Sequence, residues 1–380
     1  MIPAVLIESL SQGAQRLFDP KTPPQVRQMA ARGIAPGLKP SDALTVVALL
    51  SEQTSTFPDG EALAGAAKQT LAKLPLPLLQ GALGPDLPPG VIDLIAPTYV
   101  NDAAVMERIL ALPQITGDTV AAIAFRCNEA VAELVATNEE RLLANPVIIE
   151  KLYLNRSTRM STANRALELA IRNKIRVEGI PAFEEAAAAL AEEHIPEPSP
   201  EPTFSDVLVK ETIELGAKLA TEAIVADTHV ADEATGEERV KDKFVPVHAR
   251  IADMSMSEKI RTAMVGSASE RAILVRDNNK MVAKAAVKSP QIQENEAVRI
   301  ASMRNVSDEV LSELARSPKW KQSYQIKLNL VQNPRTPAHI AQKLIPYLFE
   351  HDVKALAKSK NVTGQVIMAA KQHLQRKQKK

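Results

Sequence analysis

The chain has 380 residues, of which 45% are apolar and only 3% aromatic, and it contains one cysteine, Cys127. A chain of this length can bury a substantial core and has room for two domains or one long repeat array. A single cysteine excludes a disulfide framework, a cysteine-based zinc site and an iron–sulfur cluster built within one chain.

Charge is distributed unevenly along the sequence, although the formal net charge is only +1. From Ser257 to the end there are 23 Lys/Arg against 10 Asp/Glu, a balance of +13. Residues 1–256 carry 23 Lys/Arg and 35 Asp/Glu, a balance of −12. The two parts therefore have to be interpreted separately.

The N-terminus lacks the basic start and long apolar run of a signal peptide. No segment approaches the ~20 uninterrupted apolar residues that a membrane span needs. We therefore expect a soluble, cytoplasmic protein without a membrane span.

One pattern recurs along the chain. It consists of a polar or proline-containing turn, one apolar residue, a helix-starting Ser, Thr or Pro, and an apolar helical stripe. We call the residues at the apolar position the anchors: Leu87, Ile115, Ile148 and Met160 in the N-terminal part, and Ile292, Val306, Thr336 and Val362 in the C-terminal part. Thr336 follows a helix-breaking pair, Asn333-Pro334.

Each part of this pattern has a physical reason, which the segment at Ser307 illustrates. A Ser or Thr at a helix start accepts hydrogen bonds from the first-turn amides, and proline is tolerated there. Asp308 and Glu309 then suit the positive end of the helix dipole, and the stripe of Val310, Leu311 and Leu314 gives the helix one buried face.

A short helix of this kind cannot bury its apolar face alone, whereas a stack of such helices can, which is the principle of an α-solenoid. Strand signals are weak throughout. The sequence thus predicts an all-α fold with two irregular helical-repeat (α-solenoid) modules. An ordinary irregular helical domain is the alternative.

The segment NPRTPAHIAQKLI, with VKALAKSKNVTGQVIMAA after it, resembles the variant leucine-rich-repeat family, and HEAT-like repeats are similar enough to be hard to distinguish. The likeness covers residues 260–375 well and 77–175 loosely, and it implies a superhelix of alternating α- and 3₁₀-helices. The founding type of that family carries an iron–sulfur cysteine cluster, which Cys127 alone does not reproduce. As a whole, the chain also resembles uncharacterised helical proteins of deltaproteobacteria, which implies a bacterial source and no function.

The domain boundaries follow from composition. We expect an N-terminal repeat domain at 1–190, an acidic Pro/Glu-rich and largely disordered linker at 191–243, a basic C-terminal repeat domain at 244–375, and a basic tail at 376–380. Four prolines between Pro196 and Pro202 favour extended backbone. Within the linker, residues 205–225 predict one amphipathic helix with Ser205 as its N-cap. It would either dock on an array as a cap or fold on a partner.

The usual catalytic constellations are missing from the sequence. There is no glycine-rich phosphate loop, and no two of the six histidines have metal-ligand spacing. Arg126 could activate Cys127, but the sequence provides neither a base nor an orienting group. We therefore expect no enzyme activity, no cofactor and no metal, with Cys127 an inert core residue.

The basic C-terminal domain offers the candidate partner contacts. Lys280, Lys284 and Lys288 are spaced to place one line of charge on a helix face. The full candidate set, for a protein partner or for nucleic acid, is Lys280, Lys284, Lys288, Arg316, Lys319, Trp320, Lys321 and Arg335. Alternatively, the lysines only keep a helical stack soluble, and Trp320 fills a gap between repeats.

These features predict a non-enzymatic protein-interaction scaffold or regulatory adaptor. The alternative is nucleic-acid binding, RNA more than DNA, through residues 257–380. The acidic linker would then mask the basic array until a partner displaces it. The sequence predicts neither the partner's identity nor the oligomeric state.

Overall fold

The computed structural model describes residues 7–52, 58–191, 193, 197–222, 228–231 and 238–378. The chain divides into two compact units, Met1–Thr158 and Arg159–Lys380. Helices dominate both units, so the predicted all-α class is confirmed. Among the described residues the exception is a short antiparallel ladder of β1 (His229–Ala231) and β2 (Glu238–Val240), in which Val230 pairs with Arg239.

The first unit is a succession of short helices. They are α1 (Gln12–Gln15), α2 (Pro24–Ala31), α3 (Pro40–Glu52), α4 (Gly60–Ala72), α5 (Leu76–Ala82), α6 (Pro89–Tyr99), α7 (Ala103–Leu110), α8 (Gly117–Arg126), α9 (Glu129–Ala136), α10 (Glu139–Ala144) and α11 (Pro146–Leu154), with a 3₁₀ turn at Arg16–Phe18. From α3 to α9, helices two apart in chain order pack on each other.

The second unit contains the remaining described helices. They are α12 (Met160–Arg172), α13 (Phe183–Leu190), α14 (Phe204–Glu222), α15 (Val245–Asp253), α16 (Met256–Val265), α17 (Ala268–Leu274), α18 (Lys280–Lys288), α19 (Glu294–Ser302), α20 (Asp308–Arg316), α21 (Tyr324–Gln332), α22 (Ala338–Leu344), α23 (Glu350–Lys358) and α24 (Gly364–Gln378), with 3₁₀ turns at Asp242–Phe244 and Ile345–Tyr347. Here too helices two apart pack together, as α16 does on α18 and α18 on α20.

The anchors occupy a fixed place at the helix starts. Six of the eight stand two residues before the first residue of a helix, as Val306 does before α20, and the residue between them is the N-cap. The two exceptions are Ile148, inside α11, and Met160, which begins α12. All the anchors are buried except Ile115 and Val362, which are half-buried. An apolar residue in front of the N-cap packs back on the helix and fixes the angle at which the chain enters it.

A second recurring feature is a buried asparagine that follows a helix and binds carbonyl groups of an earlier one. Asn333, directly after α21, is the first example. Its Nδ2 donates to the carbonyls of Ala301 at 2.9 Å and Met303 at 2.7 Å, and its Oδ1 accepts from the Arg335 amide at 3.0 Å. Asn155 makes the same pattern in the first unit, with the carbonyls of Ala124 and Cys127 at 2.8 and 2.9 Å. Both amides are buried and satisfy carbonyls at the end of a helix about 30 residues earlier in the chain, which helix geometry leaves unpaired.

The contact boundary between Thr158 and Arg159 precedes the domain boundary expected at residue 190. As a result α12 and α13 belong with the C-terminal helices, and α13 packs on α16 and α18. One physical reason is the buried Glu185 of α13, which is held by two lysines of α18. Composition gave no sign of this, because a Glu-Ala-rich helix before a proline-rich segment also looks like a domain end.

Much of the expected linker is structured. Residues 197–203 have no helix or strand, as their prolines predict, but 204–222 form α14, which packs on α12, α15, α16 and α17. This is the docked alternative for the amphipathic segment. The N-cap is Thr203 and not Ser205, because Thr203 Oγ1 accepts from the Asp206 amide at 3.2 Å. Of the linker at 191–243, for which disorder is expected, residues 192, 194–196, 223–227 and 232–237 fall outside the described residues.

Docking of α14 depends on one carboxylate and one glycine. Asp206 is buried and accepts from the Ser161 amide at 2.8 Å, the Ser161 hydroxyl at 3.0 Å and the Thr203 amide at 2.8 Å. Burial opposes ionisation of Asp206, but these hydrogen bonds outweigh it and lower its pKa. Further along α14, a Cβ on Gly216 would lie 2.1 Å from Oε1 of the buried Glu270, so only glycine leaves room for that side chain.

At the C-terminus, the expected tail at 376–380 begins inside a helix. Residues 376–378 are the last described positions of α24, and Arg376 and Lys377 are exposed. These two cations therefore lie in the last described turn of a helix.

Candidate interaction surface

The predicted line of positive charge exists on α18, but each of its three lysines pairs with an acid of the same unit. Lys284 Nζ lies 3.2 Å and Lys288 Nζ 2.8 Å from Oε1 of Glu185 in α13. Lys280, at the other end of the line, donates to a carboxylate oxygen of Glu309 in α20. All three candidate lysines are therefore already engaged within the unit.

Glu185 is the centre of this arrangement, since its side chain is only 6% exposed. Burial would raise its pKa, but the hydrogen bonds and charges of Lys288 and Lys284 outweigh that and leave the pKa lowered. Removing either lysine would leave a buried carboxylate short of a partner. We conclude that Lys284 and Lys288 stabilise the unit.

The other candidate residues fall into two groups. Trp320 is only 5% exposed, with Lys319 Nζ 4.5 Å from its ring centroid, and Lys319 donates to the Ile292 carbonyl at 2.6 Å. Trp320 thus packs in the unit and has no open face for a ligand to stack on. Arg316, Lys321 and Arg335 are exposed.

The charge excess of the C-terminal part is itself concentrated at its end. Residues 257–316 carry 10 Lys/Arg against 8 Asp/Glu, whereas residues 317–378 carry 11 Lys/Arg against 2 Asp/Glu. We call 317–378 the C-terminal segment. Its two acids, Glu350 and Asp352, can neutralise few of its cations, and one already pairs locally, since Glu350 lies 2.7 Å from Lys354.

An exposed group of aromatic rings lies in the same segment. The side chains of Tyr347 and Phe349 are 68% and 58% exposed. Phe349 lies 4.3 Å from the ring of Tyr324 and 5.7 Å from that of His351, nearly parallel to the latter. Lys327 Nζ stands 5.9 Å from the Tyr347 ring centroid. We call Tyr324, Tyr347, Phe349 and His351 the ring cluster.

Sequence reasoning passed over the ring cluster and singled out Trp320 instead. The signal was present, because PYLFEH places two aromatic residues and a histidine within six positions of a chain that is 3% aromatic. What the sequence did not show is that Tyr324 lies against Phe349, or that Tyr347 and Phe349 are exposed.

Cys127 has the environment of an inert core thiol. It is 1% exposed, and burial raises its pKa to about 11, although hydrogen bonds, including one from Asn155, act in the opposite direction. A thiol with such a pKa has almost no thiolate at neutral pH, so the neighbouring Arg126 does not activate it.

Two recesses, one in each unit, are lined by charged side chains. One, of about 250 Å³ in the first unit, is lined mainly by α6 and α8 and includes Asp93, Asp118 and Arg126. The other, of about 290 Å³ in the second unit, lies beside Glu185 and Lys288. Neither is lined by Cys127 or by a histidine. Within the described ranges no group of three metal-ligating side chains comes together.

Comparison with known protein families, curated proteins and solved structures finds no match. In the part of the chain that the structure describes, no helix combines the length and apolarity that crossing a membrane would require.

Proposed function

We propose that this protein is a non-enzymatic scaffold or adaptor built from stacked helical repeats, and that it binds an anionic macromolecular partner with its C-terminal segment. The observation that supports the proposal is that cations are paired with acids in one part of the second unit and greatly outnumber acids in another. The lysines of α18 pair with Glu185 and Glu309, whereas the C-terminal segment contains 11 Lys/Arg and only 2 Asp/Glu.

The repeat architecture supports this function. Helices two apart in chain order pack together, six anchors stand two residues before a helix, and Asn155 and Asn333 bind carbonyls of an earlier helix in the same way. Stacked helices of this kind present extended surfaces that serve for binding. A net charge this large in one segment exceeds what solubility needs and steers acidic partners towards it.

The masking hypothesis takes a different form in this structure. α14 contributes Leu208, Val209 and Ile213 to the core, so this part of the acidic linker is a packed element of the unit. An acid does cover two candidate lysines, but it is Glu185 of α13, outside the acidic linker.

The proposal can be tested on the full chain with heparin as a polyanion probe. The variant Lys358→Gln/Lys360→Gln/Lys371→Gln/Arg376→Gln removes four exposed cations of the C-terminal segment. The matched control Lys68→Gln/Lys73→Gln/Arg108→Gln/Arg126→Gln removes four exposed cations of the first unit. Both variants have the same net charge, so a difference between them reports where the charge lies.

We expect the first variant to elute from heparin at a clearly lower salt concentration than wild type, and the control to elute close to wild type. Equal elution of the two variants would mean that only overall charge matters. The C-terminal segment would then not be the binding surface, and the proposal would fail.

A further inference from the structure

The ring cluster combines exposure with local order. Tyr347 and Phe349 expose 68% and 58% of their side chains, and His351 exposes 77%. The chain at Phe349 is nevertheless held by Tyr324. Tyr324 in α21 accepts the Phe349 amide at 3.0 Å on its hydroxyl oxygen and donates its proton to a carboxylate oxygen of Asp352.

These hydrogen bonds join α21 to the start of α23 and hold the backbone at Phe349, so the Phe349 ring is packed beside Tyr324 before any ligand arrives. Exposed aromatic side chains cost hydrophobic free energy in an unliganded protein and often mark a binding surface. A platform that is already ordered loses little conformational entropy when it binds.

One cation stands at this platform, and more lie in the same segment. Lys327 stands over the Tyr347 ring, and the segment containing it carries 11 Lys/Arg against 2 Asp/Glu. Flat apolar faces beside unpaired cations are complementary to a chain that alternates flat bases with phosphates. Aromatic stacking contributes about 1–3 kcal/mol per base and tolerates any base, while cations follow the backbone.

We infer that the ring cluster is a stacking platform for unpaired bases of single-stranded RNA, with cations of the C-terminal segment binding the adjacent phosphates. This inference rests on the proposed function and names the partner of the same segment. A duplex hides its base faces, so it could use the cations but not the rings. RNA is favoured over DNA because unpaired loops and ends are where proteins bind RNA by stacking.

An acidic protein is the competing partner, and the rings argue against it. Acidic side chains would satisfy the lysines but have no flat apolar surface for Tyr347 and Phe349. An anionic membrane could accept both rings and cations, so it has to be an arm of the experiment.

The test uses the full chain and a fluorescein-labelled single-stranded RNA of 12 nucleotides in fluorescence anisotropy, at 50 and 200 mM salt. Tyr347→Leu/Phe349→Leu keeps apolar side chains and removes the ring faces. The matched control is Phe125→Leu, because Phe125 is also an exposed ring, 50% exposed, with Lys151 Nζ 5.6 Å from its centroid.

We expect the double ring variant to bind RNA about 10- to 100-fold more weakly, since 1.4 kcal/mol is tenfold in Kd. Its salt dependence should stay that of wild type, because the phosphate contacts remain. With four such contacts, raising salt from 50 to 200 mM would weaken binding roughly 50-fold. Phe125→Leu should bind like wild type.

The variant without Lys358, Lys360, Lys371 and Arg376 should lose affinity and also show a shallower salt dependence. Retention of the ring variant on heparin should be unchanged. RNA binding that the ring variant leaves intact would overturn the platform while the proposed function survives. If the variant without the four C-terminal cations eluted from heparin at the same salt concentration as the matched control of the first unit, both the platform and the proposed function would be overturned.

Three further arms use a duplex RNA, a single-stranded DNA of the same sequence, and vesicles containing anionic lipid. Duplex binding as tight as single-stranded binding would exclude stacking on the rings. Equal affinity for DNA would overturn the assignment of RNA. Binding to vesicles without binding to RNA would replace the inference with a membrane surface.

Discussion

Two sets of lysines in the second unit look alike in sequence and differ in what surrounds them. Lys284 and Lys288 follow one face of α18, and both reach Glu185, which is buried. Lys358 and Lys371, in α23 and α24, are exposed in a segment with 2 acids. The first set is half-buried and paired with a buried acid, whereas the second is exposed at the surface.

A row of like charges on a helix face therefore predicts where the charged side chains lie, but not whether they are free to bind a partner. A lysine is free to bind a partner only if no carboxylate of its own chain pairs with it. That carboxylate can lie far away in the sequence, as Glu185 does from Lys288. Buried carboxylates demand such partners, because an uncompensated charge in the interior is costly. Charge counts over long windows therefore mix structural pairs with free surface charge.

The strongest test of this comparison removes one pair from each set. Lys284→Gln/Lys288→Gln should lower the free energy of unfolding of the second unit by about 3 kcal/mol, because Glu185 is left buried without a cation. Lys358→Gln/Lys371→Gln should change it by no more than about 0.5 kcal/mol. Trp320, the single tryptophan, lies in the same unit, so its fluorescence in a urea titration measures both. Equal effects would remove the distinction between the two sets.

The second prediction concerns the packing of α14 on α17. Gly216→Ala should destabilise the unit by about 2 kcal/mol, because the new Cβ would lie 2.1 Å from Oε1 of Glu270, and overpacking of this kind costs about 1–3 kcal/mol. Gly65→Ala is the matched control, since Gly65 lies inside α4 and a Cβ there meets nothing within 4 Å.

The control should stabilise the first unit by about 0.5–1 kcal/mol, as removal of a helical glycine does. Protection of Cys127, the single cysteine, from a thiol reagent under urea reports the first unit. A neutral Gly216→Ala would mean that Glu270 can move aside freely.

The sequence predicted features that depend on neighbouring residues, and it did not predict contacts between residues far apart in the chain. Helix starts were local: the anchor-and-cap pattern at Val306-Ser307 placed α20 correctly, and Ser307 does accept from the Val310 amide. The position of Glu185 against α18 was not, because it joins residues 103 apart in the sequence.

The candidate surface shows the same limit. The sequence identified the basic C-terminal part but favoured its start, on α18, because regular spacing is visible there. Trp320 attracted attention as the single tryptophan, and large aromatic residues are usually buried, as it is. The ring cluster needed the contact between Tyr324 and Phe349, which lie 25 residues apart.

The third prediction uses pH to separate the buried acid from the surface. The pKa of Glu185 is lowered in the folded protein, so its contribution is fully present above the ordinary carboxyl pKa of about 4.3 and is lost as pH falls through the folded value. Glu185→Gln should lower the free energy of unfolding at pH 7, and the difference from wild type should shrink as the pH falls through the folded pKa of Glu185. Urea midpoints of the two proteins between pH 3 and 7 should therefore converge on acidification. A constant difference would show that Glu185 acts through packing alone.

The smallest expected effect concerns how the ring cluster is held. Tyr324→Phe removes the hydroxyl that accepts the Phe349 amide at 3.0 Å and donates to Asp352. Because the site is near solvent, the lost hydrogen bonds should cost only about 0.5–1 kcal/mol. Hydrogen exchange at the Phe349 amide should accelerate clearly, whereas Tyr347→Phe, which removes a hydroxyl from an exposed ring, should leave it unchanged. If both variants exchanged like wild type, packing of the rings would hold the ring cluster in place, and the hydrogen bonds of Tyr324 would not be needed for its order.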